Sequence, residues 1–128
     1  MTAVASRIGG ISLVVVPSTN QDKSIEFYES LSFEKRTDIP FGDKYRWVEV
    51  YPPTGTTGIA LAPPREGDAV GVQTGITLTT DDIDAAHAHL QSLNADIDAE
   101  VSRMGDPVPP MFWFRDPDGN SLMVVQQS

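Results

Sequence analysis

Apolar and polar positions follow two rhythms along this chain, and both recur in the same order. Gly10–Pro17 (GISLVVVP) is a continuous apolar run rich in β-branched residues and stopped by proline, which predicts a buried strand. Thr19 or Asn20 can cap the helix that follows, where Ile25, Tyr28 and Leu31 recur at three-residue spacing and Phe27 precedes Leu31 by four. That spacing lays one apolar stripe against a sheet. Phe33–Thr37 is a short, charged strand candidate for a sheet edge, and Pro40-Phe41-Gly42-Asp43 is rich in turn formers. Tyr45–Tyr51 (YRWVEVY) alternates cleanly, Pro52-Pro53-Thr54-Gly55 turns the chain, and Thr57–Ala62 (TGIALA) makes a further strand. The first half therefore reads β-α-β-β-β.

Prolines and glycines in Pro63–Gln73 (PPREGDAVGVQ) mark a linker, after which the rhythm restarts. Gly75–Thr80 (GITLTT) reads as a strand, Asp81 or Asp82 as a cap, and Ile83, Ala86, Leu90 and Leu93 as the buried side of a second helix. Ile97–Ser102 is a weaker element. In Pro110–Gln126 (PMFWFRDPDGNSLMVVQ), turn formers between an aromatic and an apolar run predict a β-hairpin. Sliding the first half forward by 62 places Leu13 on Gly75, Asp22 on Asp84, Ser30 on Ser92 and Leu31 on Leu93, so like elements meet. The modules span roughly residues 8–63 and 73–127 of a single 1–128 domain, with 64–72 as linker. The expected fold is α+β: two βαβββ modules forming a curved, incompletely closed eight-stranded sheet around a cleft, with the helices outside.

A chain of 128 residues can bury a core without staples, and zero cysteines remove disulfides, thiolate metal sites and a cysteine nucleophile together. Eighteen acidic residues against nine scattered basic ones give a net charge of −9, which argues against nucleic acid or an anionic membrane as partner. MTAVASRIGG has no apolar run of signal-peptide length, and no stretch of about 18 uncharged apolar residues occurs, so the expected location is the cytoplasm.

Three stretches, VVVPSTNQDKSIEFYESLSFE, GITLTTDDIDAAHAHLQSLNADI and FRDPDGNSLMVVQ, carry a resemblance that covers roughly Ile11 to Gln126. The chain resembles the vicinal oxygen chelate superfamily, which includes glyoxalase I, bleomycin-resistance proteins, fosfomycin-resistance enzymes and extradiol dioxygenases. The resemblance implies a His or Glu metal ligand on the first strand of each module and a Glu on the last strand. The matching positions here are Leu13, Gly75 and Met123, and the strand that supplies a fourth ligand, Thr57–Ala62, has no ionisable residue. Divalent ions of this kind need oxygen or nitrogen donors, so no metal and no other cofactor is expected. His87 and His89 lie two apart on a predicted helix, point to different sides, and read as partly exposed helix residues. In relatives with two modules per chain a partner subunit usually completes the cleft, so a homodimer is the expected assembly.

Strand parity names the cleft. With Leu13 and Gly75 facing in, alternation adds Ile11, Val15, Thr77 and Thr79 and sends Val14, Val16, Ile76 and Leu78 under the helices. On the last strand Ser121, Met123 and Val125 face in, and the hairpin places Trp113 opposite Met123. The third strand offers Trp47 and Glu49, or Arg46 and Val48 if its parity is shifted by one. The candidate ligand contacts are thus Leu13, Trp47, Glu49, Thr77, Trp113 and Met123, an apolar and aromatic set with a few polar handles. Alternatively, the tryptophans and the methionine simply fill the core. No nucleophile elbow, phosphate loop or spaced carboxylate pair is present. The preferred reading is a metal-free protein that encloses an apolar or aromatic small molecule, with a sequestration or resistance role. The alternatives are a lyase, isomerase or dioxygenase, either metal-dependent or using Glu49 as base, and a non-binding accessory or oligomerisation module.

Overall fold

The repeated rhythm folds as two copies of one unit. The computed structural model describes residues 6–43 and 45–127, so the first five residues of the N-terminal stretch lie outside the described residues. The first module contains β1 (Leu13–Pro17), α1 (Gln21–Ser30), β2 (Glu34–Phe41), β3 (Tyr45–Tyr51) and β4 (Gly58–Ala62). The second contains β5 (Gln73–Thr80), α2 (Ile83–Ser92), β6 (Asp96–Ile97), β7 (Met111–Arg115) and β8 (Ser121–Gln126). The eight strands fall into two four-stranded sheets, ordered β1-β4-β3-β2 and β5-β8-β7-β6. In each, the first and last strands of the module pair in parallel and the remaining pairs are antiparallel.

Repeat register and local chemistry agree. The helices begin at Gln21 and Ile83, 62 residues apart, and so do their caps, Asn20 and Asp82. Each cap side chain accepts a backbone N–H three residues on, from Lys23 at 3.1 Å and Ala85 at 3.0 Å, which satisfies a donor the helix itself leaves unpaired. Both helices end in a left-handed residue, Ser32 (φ 72°) and Asn94 (φ 56°), again at equivalent positions.

One apolar cluster serves both modules. Val16, Val48, Val50, Ile59 and Leu61 of the first sheet join Phe112, Phe114, Leu122 and Val124 of the second, with Ile25 and Tyr28 of α1 and Ile83 and Leu90 of α2. Ring contact between Phe27 and Phe114, centroids 6.0 Å apart, carries the packing across the module boundary. The core therefore occupies the helix side of each sheet, and the other side is left open.

The Asp116-Pro117-Asp118-Gly119-Asn120 segment turns the hairpin and also joins the modules. Asp116 and Asn120 are buried. The Asp116 carboxylate accepts bonds from Tyr28 Oη (2.8 Å), Asn120 Nδ2 (3.0 Å), and the backbone N–H groups of Asp118 and Asn120 (both 3.0 Å). Asn120 Nδ2 also donates to the Pro17 carbonyl at 2.8 Å, and its Oδ1 accepts the Val72 N–H at 3.1 Å. Burial first, and then the Asp116 carboxylate, pushes the Tyr28 phenol well above the usual tyrosine range.

Two elements depart from the sequence reading. β2 runs on through Pro40 to Phe41, which an edge strand can accommodate because one of its sides has no partner strand, and the turn follows at Gly42 (φ 69°). The Ile97–Ser102 element shrinks to Asp96–Ile97 plus one isolated bridge between Ser102 and Met111.

Candidate functional site on the open sheet faces

Alternation assigns the open faces. Val48 and Val50 are in the core, so Trp47, Glu49 and Tyr51 project from the opposite side of β3. Cross-strand pairing of Thr37 with Glu49 and of Ile39 with Trp47 puts those β2 residues on the same side. Arg46 lies on the helix side, where its guanidinium forks onto Asp38 (Nε–Oδ1 2.9 Å, Nη2–Oδ2 2.8 Å) and reaches Asp22 at 2.6 Å. These bonds, with the Lys35 bond beside them, hold the Asp38 carboxyl well below the usual carboxylate range.

Three of the six candidate residues form one row on the second sheet, with Trp113 of β7 paired to Met123 of β8 and Met123 paired to Thr77 of β5. On the first sheet Leu13 pairs with Gly58, whose position is covered by the Tyr51 ring: a Cβ there would meet that ring at 2.7 Å. Glu49 sits in a ring of donors. Its carboxylate accepts from Trp47 Nε1 (2.7 Å), Tyr51 Oη (2.9 Å) and, more weakly, Thr37 Oγ1 (3.5 Å). The bond to Glu49 raises the Tyr51 phenol above its ordinary value, and the Arg36 guanidinium lies 4.5 Å from the centre of that ring.

The six candidates are thus divided, with Leu13, Trp47 and Glu49 on one sheet and Thr77, Trp113 and Met123 on the other. A cavity of about 550 Å³ on the first sheet's open face is lined by Val15, Tyr45 and Trp47 together with the linker. A larger one, about 800 Å³, lies at the seam between modules and includes Thr77 among Ile59, Leu78, Leu90 and Phe114. Neither cavity is lined by both tryptophans. Both histidines fasten α2 in place: His87 Nε2 bonds the Asp98 carbonyl at 2.8 Å with its ring edge-on to Phe112, and His89 Nε2 bonds the Ser30 carbonyl at 2.7 Å.

Residues 10–124 match the profile of the Glyoxalase/Bleomycin resistance protein/Dioxygenase superfamily. The chain belongs to this superfamily. A member of the Glyoxalase/bleomycin resistance protein/dioxygenase superfamily from Sphaerobacter thermophilus DSM 20745 is 32% identical, with a TM-score of 0.86 over 94% of this chain and 99% of that one. TnmS3, an antibiotic binding protein from Streptomyces sp. CB03234, is 30% identical, with a TM-score of 0.81 over 98% of this chain and 100% of that one. The fosfomycin resistance protein FosX from Listeria monocytogenes, 13% identical with a TM-score of 0.74 over 94% and 95%, shares the fold. No curated protein matches by sequence.

Metal-dependent members of the glyoxalase superfamily need oxygen or nitrogen donors, which the residues at the three matched positions do not carry. Leu13, Gly75 and Met123 offer at most a thioether. The β5 residue paired with Met123 is Thr77, because the ladder slips between Gln73 and Thr77, where Gly75 takes φ 74°. Among the described residues no group of three or more His, Asp or Glu side chains is placed to hold an ion. Sequence parity did not single out Tyr45, Tyr51, Thr37 or Ile39, yet the alternation of YRWVEVY already set both tyrosines beside Trp47 and Glu49.

Proposed function

We infer that this protein binds an apolar or aromatic small molecule without a metal ion. The ligand lies between the open first-sheet face of one subunit and the open second-sheet face of the other in a homodimer. The observation that carries the reading is the pair of open faces, each bearing a tryptophan: Trp47 beside exposed Val15 (59%) and Ile39 (55%), and Trp113 in a row with Met123 and Thr77. Exposed apolar side chains grouped on one sheet face mark a surface that a ligand or partner can cover. The likeness to an antibiotic binding protein at 30% identity supports a small-molecule ligand and a sequestration or resistance role. An enzyme with Glu49 as base has less support, because the structure already gives this carboxylate a role as acceptor for the Trp47 and Tyr51 side chains.

A thermal-shift screen of aromatic natural products, antibiotics and divalent metals tests the reading. A ligand that binds only the folded state raises the melting temperature by mass action. The expected result is a shift with an aromatic compound and none with zinc, nickel, manganese or iron. Stabilisation by a metal alone, reversed by a chelator, would sink it.

A further inference from the structure

We propose that the seam between the modules holds a second ligand site, separate from the two tryptophan-bearing faces, for an apolar molecule that carries one ammonium group. The site is the cavity of about 800 Å³. Its volume lies within the range of small-molecule sites. It owes its existence to a difference between two joints that the repeat would otherwise make alike.

Each helix faces the turn that joins the last two strands of the other module. Around α1 that joint is bonded shut. In the 116–120 turn Asp116 accepts the Tyr28 hydroxyl at 2.8 Å, Asp118 accepts the Thr19 hydroxyl, and Asn120 donates to the Pro17 carbonyl at 2.8 Å. Ser24 lies buried beneath, its hydroxyl 2.7 Å from that of Ser18. Around α2, which starts 62 residues later, the chemistry is different. Leu90, Ala86 and Asp81 stand where Tyr28, Ser24 and Thr19 stand around α1, and the counterpart turn, residues 52–57, carries no carboxylate or amide side chain. Among the described residues no side-chain bond joins this turn to α2, and the cavity lies between them, with Thr54 and Thr56 on one wall and Ala85 and Ala86 on the other.

The lining selects the ligand. Ile59, Leu90, Phe114 and Val124, all buried members of the common core, form the floor, so an apolar body that enters exchanges water for hydrocarbon. His89 stands where α1 has Phe27. The Phe27 ring packs on Phe114 with centroids 6.0 Å apart, whereas the His89 imidazole is engaged by the Ser30 carbonyl at 2.7 Å, and the two alanines beside it leave the wall shallow. The cavity's carboxylates are Asp81 and Asp82, and no lysine or arginine lines it. Asp82 is occupied in capping α2 through the Ala85 N–H at 3.0 Å, while the Asp81 carboxylate has no bond to the protein among the described residues. A site with that charge attracts an ammonium group and repels a carboxylate.

The test is titration calorimetry of the whole protein with 3,3-diphenylpropylamine, using the alcohol and the carboxylate of the same skeleton as controls. The amine should bind about 2- to 5-fold more tightly than the alcohol, and the carboxylate more weakly than either. Asp81→Asn, at an exposed position, should erase the preference for the amine and leave the alcohol's affinity unchanged. Ala86→Phe, which puts a ring into the cavity, should remove saturable binding of amine and alcohol alike, and Thr56→Trp on the opposite, exposed wall makes the same test should Ala86→Phe not fold. Equal affinity for amine and alcohol, or no saturable binding of the amine, overturns the seam site. If Trp113→Leu removes amine binding while Asp81→Asn and the cavity-filling variant retain it, the amine sits on the open faces. The seam site is then overturned and the reading of those faces stands.

Discussion

A single buried carboxylate holds more of this molecule together than any other side chain described above. Asp116 ties α1 to the final hairpin through Tyr28, and bonds to a charged group contribute about 1.5–3 kcal/mol each. Tyr28→Phe should therefore lower the melting temperature by several degrees with the fold retained, as thermal unfolding followed by circular dichroism would report. The pH dependence has a definite sign. Because the folded-state phenol is raised, its contribution is complete below the ordinary tyrosine value of about 10 and is lost as pH climbs beyond it. The gap in melting temperature between the wild type and Tyr28→Phe should consequently shrink between pH 9 and pH 11 (about one unit either side of that value). A gap that is constant with pH would mean that the phenol does not carry the linkage. Glu49 acts locally by comparison. In a binding protein Glu49→Gln should preserve most of the ligand affinity, since an amide oxygen can still accept one of the Trp47 and Tyr51 bonds. Loss of a measurable turnover in the same variant would instead establish the carboxylate as a base.

At the scale of elements, the two helices are independent tests of the repeat. Asn20→Ala and Asp82→Ala each remove an equivalent cap bond, so each should cost about 1 kcal/mol, and denaturant midpoints should move by similar amounts. The sequence made these elements legible because capping side chains and apolar spacing are local properties; the 62-residue offset survives in the caps, the helix starts and the left-handed residues that end them. Hairpin register was legible for the same reason, and Trp113 does stand opposite Met123. What was hidden depended on distant partners. The parity of β3 is decided by Val48 and Val50 meeting α1 and the core, which YRWVEVY alone cannot specify. The role of Asp116 and Asn120 is decided by Tyr28, Pro17 and Val72, all more than 40 positions away. The linker looked like a spacer because prolines and glycines signal a break whether or not the break is packed.

The whole molecule packs one face of each sheet and both helices into a common core and leaves a bare face on each sheet. Neither of the two cavities described above is lined by both tryptophans, which fits the proposal that a ligand contacting both is held between two subunits. In that proposed site assembly and binding are one phenomenon. The wild type should be a dimer by light scattering at micromolar concentration, with a melting temperature that rises with protein concentration. Ile39, 55% exposed and outside the 550 Å³ cavity, is the position at which to break the proposed dimer, because Ile39→Asp places a charge on the uncovered face without touching the core. The expected variant is a folded monomer with far weaker affinity for a ligand that contacts Trp113, although every residue lining that face is unchanged. If the monomeric variant binds such a ligand as tightly as the wild type does, the cleft is complete within one chain and the two-subunit site is wrong.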